Sequence, residues 1–162
     1  MNRTLQVTWQ DPMLTAGAAK GRSGLAFLGA ILDGAVPPPP IQQTLRFDLV
    51  HADEGVVRFR LVTGEQHANP MNVVHGGVAC VLLDSAMGSA AMTTLDEQTA
   101  YTTVDLNVHL TRAIALDAGP IVAEGRVVHR GSRVITTAGE LRDGRGRLLA
   151  HGTSTCLVMA RG

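Results

Sequence analysis

From Val78 to Met92 the chain is apolar or small at almost every position, and it carries one charged side chain there, Asp84. Wound as a helix, this segment is hydrophobic on every side. A helix of that kind has to be enclosed all round, so the rest of the chain must supply a layer that wraps it. An ionised carboxylate in such surroundings is costly unless it is paired, protonated or opened to a solvated cleft. Each of those solutions perturbs its acidity, and perturbed carboxylates cluster at functional sites. His75, Gly76 and Gly77 immediately precede the run, where the helix should begin. The free N–H groups and the dipole of a helix N-terminus favour negative charge at that point.

The remaining bulk properties exclude several classes. With 162 residues the chain is long enough for one domain with a real core. Its formal net charge is zero and only 3% of residues are aromatic, so neither a basic patch nor base-stacking platforms for nucleic acid are expected. Cys80 and Cys156 lie in apolar stretches without C-x-x-C spacing; buried thiols in a reducing cytoplasm are the expectation. The six histidines have no metal-ligand spacing, and no metal site is expected. The first residues lack the apolar core of a signal peptide. Asp84, Ser85 and Ser89 argue for a core helix rather than a membrane span. No P-loop, dinucleotide fingerprint or G-x-S-x-G elbow is present.

Residues 1–40 read as an N-terminal helical arm, and residues 41–162 as the main domain. Ser23 can cap a helix that starts at Gly24, with Leu25, Leu28, Ile31 and Leu32 on one face and Asp33 and Gly34 as the stop. Pro37 to Pro40 form a stiff extended spacer that stays out of helices. The arm either shields the core or acts as a flap over a binding site. From Ile41 the pattern changes to period two. Ile41, Gln43, Leu45, Phe47 and Leu49 predict one strand; after a turn at residues 53–55, Val57, Phe59 and Leu61 predict the next. A polar loop over 63–74 leads to the central helix at about 76–95. In the following strand Val104, Leu106, Val108 and Leu110 form one face, and Thr103, Asp105, Asn107 and His109 the other. Strands over 120–130 and 132–142 meet at Arg130 and Gly131, and Asp143 to Gly146 turn into a last strand over 147–159. Short connections make the sheet mainly antiparallel. The fold class is therefore α+β: six strands wrapped around one long helix.

Gly76 and Asp84 are separated by roughly 12 Å along a helix axis. They cannot touch one reacting carbon within a single chain. If they cooperate, a two-fold dimer with antiparallel central helices brings Gly76 of one copy to Asp84 of the other and creates two equivalent sites. The groups suit acyl transfer to water. The Gly76 N–H can polarise a carbonyl, and Asp84 can activate water or attack directly. The Asn69 amide can bind the carbonyl or orient the water, and Thr103 can hold the same water. Each residue also has an ordinary structural role open to it: His75 as a loop hydrogen-bonder, Gly76 and Gly77 as a tight turn, Asp84 as a satisfied core carboxylate.

Taken together, Asn69, His75, Gly76, Gly77 and Asp84 at this spacing closely resemble the signature of the phenylacetate-pathway (PaaI-like) hotdog-fold acyl-CoA thioesterases. The likeness continues through Tyr101 to Asn107, Gly125 to Gly131 and His151 to Cys156, and covers about residues 41–160. It implies a hotdog sheet around the long helix, a homodimer with a continuous sheet, and often a dimer of dimers. It implies Asp84 as base or nucleophile across the interface, Gly76 as the carbonyl-polarising N–H, Asn69 on the carbonyl or water, and His75 as the residue that positions the loop. Thr103, with Thr102 as the alternative, falls where relatives carry a water-holding hydroxyl. Gly77, Gly131, Ser132 and Arg133 are the expected coenzyme A contacts, with the guanidinium on a phosphate. No cofactor is implied, because coenzyme A is part of the substrate. The expected activity is hydrolysis of a small aromatic or medium-chain acyl-CoA by a cytoplasmic thioesterase. A non-catalytic acyl-CoA-binding hotdog protein is the second reading. A hotdog hydratase or dehydratase is the third, disfavoured because His75 and Asp84 lie about two helical turns apart.

Overall fold

The computed structural model describes residues 1–161. Three short helices come first: α1 (Pro12–Ala18), α2 (Gly24–Leu32) and α3 (Pro40–Leu45). They are followed by β1 (Phe47–Asp53) and β2 (Val56–Val62), the long helix α4 (Gly76–Thr93), then β3 (Thr99–Leu110), β4 (Pro120–Arg130), β5 (Val134–Asp143) and β6 (Leu148–Ala160). The six strands form one antiparallel sheet in the order β1-β2-β4-β5-β6-β3. The sheet curls around α4, whose Ala79, Leu82, Leu83, Ala86, Met87 and Ala90 are at most 1% exposed. The chain thus encloses this helix except along one stripe, Gly77, Cys80, Val81 and Asp84, which stays half-exposed. Closeness is achieved at Gly125 in β4, where a Cβ would stand 2.3 Å from the Ala86 backbone.

Three expectations are corrected. Residues 41–45 are helical rather than extended. Pro40 does join a helix: it occupies the first turn of α3, where a missing N–H costs nothing and its fixed φ already suits the helix. Arg46 then takes a left-handed conformation (φ 58°) and reverses the chain into β1. In α2 the Ser23 hydroxyl caps as expected, accepting from the Ala26 N–H at 3.3 Å. However, the buried face is Gly24, Phe27 and Leu28, while Leu32 is 42% exposed. The reason is the seat of Gly24 on the end of α4. A Cβ there would meet the Met92 carbonyl, and its N–H donates to the Leu95 carbonyl at 2.9 Å. Finally, β3 does not alternate evenly. Its pairing steps from Thr103 opposite Cys156 to Asp105 opposite Thr155, leaving Val104 as a bulge. The extra residue inverts the alternation, so Thr103 faces α4 on the same side as Leu106, Val108 and Leu110.

The β5–β6 turn is fastened by a buried carboxylate. Asp143 accepts from the Arg145 and Arg147 N–H groups at 3.0 and 2.9 Å and from Arg147 Nε at 2.7 Å. Burial pushes this carboxyl up, but the Arg147 and Arg145 donors outweigh it and hold it below its ordinary value. Its contribution to stability is therefore present above the unfolded carboxylate pKa of about 4 and is lost as pH falls through the lower folded value. Asp143→Asn should lower Tm by several degrees at neutral pH and flatten the acid limb of stability. Thermal melts of both proteins across acidic pH check this; superimposable curves would contradict it.

Candidate active site

Asp84 is half-exposed on α4 rather than enclosed. The Thr103 hydroxyl donates to its Oδ1 at 3.1 Å. That contact exists because the Val104 bulge turns Thr103 inward; Thr102, one residue earlier, is exposed and opposite Leu157. Tyr101 and Cys156 complete the neighbourhood. Burial pushes the Tyr101 phenol well up, helped by Cys156 and the Asp84 charge, so it stays neutral. Burial and the Asp84 charge likewise push the Cys156 thiol up, against opposing hydrogen bonds from Ser154 and Thr103. Neither group is a nucleophile at neutral pH.

Asp84 lies in the wall of a cavity of about 400 Å³. Ser85, Ser89 and Met92 of α4 line it from below, Phe47, Phe59 and Tyr101 from the sheet, and residues of α1, α2 and α3 from above. Of this roof, α2 and the reading of the arm as a flap were legible from the sequence, while α3 was not. Ser85 and Ser89, one helical turn apart beside the acid, were the readable clue.

The other half of the constellation sits elsewhere. His75 caps α4: its Nδ1 accepts from the Gly77 N–H at 2.9 Å, and its carbonyl accepts from Val78. These bonds occupy the second and third N–H groups of the helix end and leave that of Gly76 free of any acceptor among the described residues. Asn69 belongs to the same edge. Its Oδ1 accepts from the Met71 and Val73 N–H groups at 2.9 and 3.3 Å, so its amide NH₂ is the end left to donate. Asn69 and Gly76 line a second cavity with Ala79, Leu110 and Ile114, and Asp84 is not part of it. Sequence reasoning missed His67, which is buried in this loop. Its Nε2 lies 3.1 Å from the Leu45 carbonyl, and its own carbonyl accepts from the His75 N–H. It ties the end of α3 to the loop that leads into α4.

Gly131, Ser132 and Arg133 form the β4–β5 turn, with Ser132 and Arg133 exposed. This turn is at the far end of α4 from Gly76. Leu95, just past α4, packs with Ile135 at the start of β5, whereas Gly76 abuts Leu110 at the other end of the sheet. One chain thus brings Asp84 and Thr103 together, brings Asn69, His75 and Gly76 together, and keeps these pairs and the turn apart.

An antiparallel sheet wrapped around one long helix, with a free helix N-terminus and a carboxylate on that same helix, is the hotdog architecture of thioester hydrolases. Comparison with known proteins agrees. The Thioesterase superfamily profile matches residues 71–150. A Halobacterium salinarum protein, provisionally described as an esterase, is 31% identical over 110 residues, which are 65% of this chain and 71% of that protein. A solved Ralstonia eutropha JMP134 protein, provisionally described as a thioesterase and as phenylacetic acid degradation-related, superposes with a TM-score of 0.73 at 27% identity. The alignment covers 80% of this chain and 98% of that one. A Streptococcus mutans UA159 protein solved bound to acetyl CoA has the same fold, with a TM-score of 0.64 at 21% identity over 71% of this chain and 90% of its own. The chain belongs to the thioesterase superfamily and is a thioester hydrolase.

Proposed function

We propose that this protein hydrolyses a small aromatic or medium-chain acyl-CoA to the free acid and coenzyme A, working as a homodimer with two shared sites. The observation that carries the reading is the separation just described: a carboxylate with its hydroxyl partner at one cavity, and an unoccupied N–H with a side-chain amide at another. Neither half can hydrolyse a thioester alone. Antiparallel pairing of α4 helices completes both at once.

Two features support that pairing. β3 is an edge strand of 12 residues; Val104, Leu106 and Leu110 are 57%, 38% and 55% exposed. A long apolar edge invites a second strand. On the enclosed α4, the residues left half-exposed include Gly77, Cys80, Val81 and Asp84, a single stripe at helical spacing. A second copy covers both features together.

In the shared site the Gly76 N–H and the Asn69 amide bind the thioester oxygen and stabilise the charge that develops there. Asp84 of the partner subunit, held by its own Thr103, either takes a proton from water as the water adds to the carbonyl carbon, or adds to that carbon itself and forms a mixed anhydride that water hydrolyses after the thiolate has left. The C–S bond then breaks and coenzyme A leaves as a thiolate, which needs little protonation. The β4–β5 turn of one copy comes to the α4 N-terminus of the other, where Gly77, Gly131, Ser132 and Arg133 meet the coenzyme A. No further cofactor takes part. The acetyl CoA bound to the Streptococcus relative supports this substrate class.

A panel of acyl-CoA thioesters with colorimetric detection of released thiol tests the reading. Turnover of aryl-acetyl, benzoyl-type or medium-chain substrates is the expected result. Absence of thiol release across the whole panel, in a sample that binds acyl-CoA by calorimetry, would replace the hydrolase with a binding protein.

A further inference from the structure

We infer that the N-terminal arm is the specificity wall of the acyl site: α1, α2 and α3 close the cavity beside Asp84 and set the size of acyl group it accepts. The inference rests on the acyl-CoA reading above and extends it to residues outside the superfamily match, which begins at residue 71. A fifth of this chain has no counterpart in the Ralstonia protein, although nearly all of that protein is matched.

Three observations carry it. First, the arm is docked, not loose. Gly24 is seated on the α4 end, and the Arg161 guanidinium donates to the carbonyls of Ala19 and Arg22; within the arm the Thr15 hydroxyl donates to the Pro37 carbonyl at 2.9 Å. Second, the docked arm leaves a cavity instead of filling it. Ala16 of α1, Phe27 and Ile31 of α2, and Ile41 and Gln42 of α3 all line the space that reaches Asp84. Its walls are mostly apolar, and at about 30 Å³ per water-sized group its 400 Å³ holds roughly a dozen heavy atoms. Third, two mostly buried side chains in its wall, Gln42 and Ser89, offer polar atoms to the cavity. Gln42 is 7% exposed and Ser89 8%, and neither side chain hydrogen-bonds another described residue. Their polar atoms keep access to the cavity, since among the described residues only His67 Nδ1 is both buried and without a partner, so water or a guest in the cavity can meet them.

An acyl chain or ring entering past Asp84 therefore ends against α2. Ile31 sits half-buried at that wall, and Ala16 is exposed at its rim. Neither belongs to the machinery assigned to the reaction. Ile31→Trp and Ala16→Trp should lower kcat/KM for the longest accepted acyl-CoA by about tenfold or more, the scale at which pockets discriminate by apolar size, while butanoyl-CoA is cleaved as by the wild type. Ile31→Ala should shift the optimum to a longer chain. Thermal melts establish that each variant is folded; Ala16→Trp, at an exposed position, keeps the test intact if changes at Ile31 do not fold. Parallel changes across all chain lengths, or an unchanged preference in folded variants, overturn the inference. If the wild type cleaves no acyl-CoA, the reading of function fails first. Displacement of a bound fluorescent fatty acid by free acids of graded length then tests the wall alone, with the same variants and the same expected order.

Discussion

Asp84→Asn should lower kcat for any cleaved acyl-CoA by about 10²- to 10⁴-fold, the range removed with a positioned acid or base, while KM and Tm stay near wild type. The replacement is nearly isosteric. Its side-chain oxygen can still accept from the Thr103 hydroxyl that now lies 3.1 Å from Oδ1, so the local packing survives while the basic and nucleophilic oxygen is lost. The position is only half-buried, which limits any effect on stability. A steady-state thiol-release assay beside a thermal melt separates the two. Hydrolysis at the wild-type rate by this variant would remove Asp84 from the mechanism.

The second large effect comes from mixing subunits. Asn69→Asp keeps an oxygen for the Met71 and Val73 N–H groups, so the loop is retained. It loses the amide donor and places a charge where negative charge must develop. A loss of about 10²- to 10³-fold is expected, as for removal of an oxyanion donor. Each single variant is then nearly inactive. Co-expressed in equal amounts, half of the dimers should contain one subunit of each kind. In those dimers one site carries both lesions and the other carries none. Activity should therefore return to about a quarter of wild type, given random two-fold pairing. Co-expression that restores nothing would show that each site is built within one chain.

Much of this was readable before any coordinates. The apolar run from Val78 to Met92 announced an enclosed helix, and the glycines after His75 marked its start. The turn residues Arg130 and Gly131 marked off two strands, expected over 120–130 and 132–142, which are β4 and β5. What escaped had no periodic signature. Pro40 initiates α3 because its ring prepays the helical φ, yet Ile41, Gln43 and Leu45 mimic a strand by chance. The bulge at Val104 changes no residue type and still decides that Thr103, not its neighbour, reaches Asp84. His67 is buried through a loop that folds back on Leu45, a contact 22 residues apart that no local pattern encodes. The cavity beside Asp84 is of the same kind: Phe27, Gln42 and Asp84 are remote in sequence and share a wall only in the folded chain.

The strand order has a consequence for how the molecule is made. Among the described residues β3 pairs only with β6, so on the ribosome it is finished well before that partner exists. β4 and β5 can join β2 in turn as they emerge, while β3 waits with both edges bare. N-terminal elements fold first during synthesis, but here the third strand to be made is the last to be admitted to the sheet. Throughout that interval, and on one side afterwards, its edge is open to a further strand.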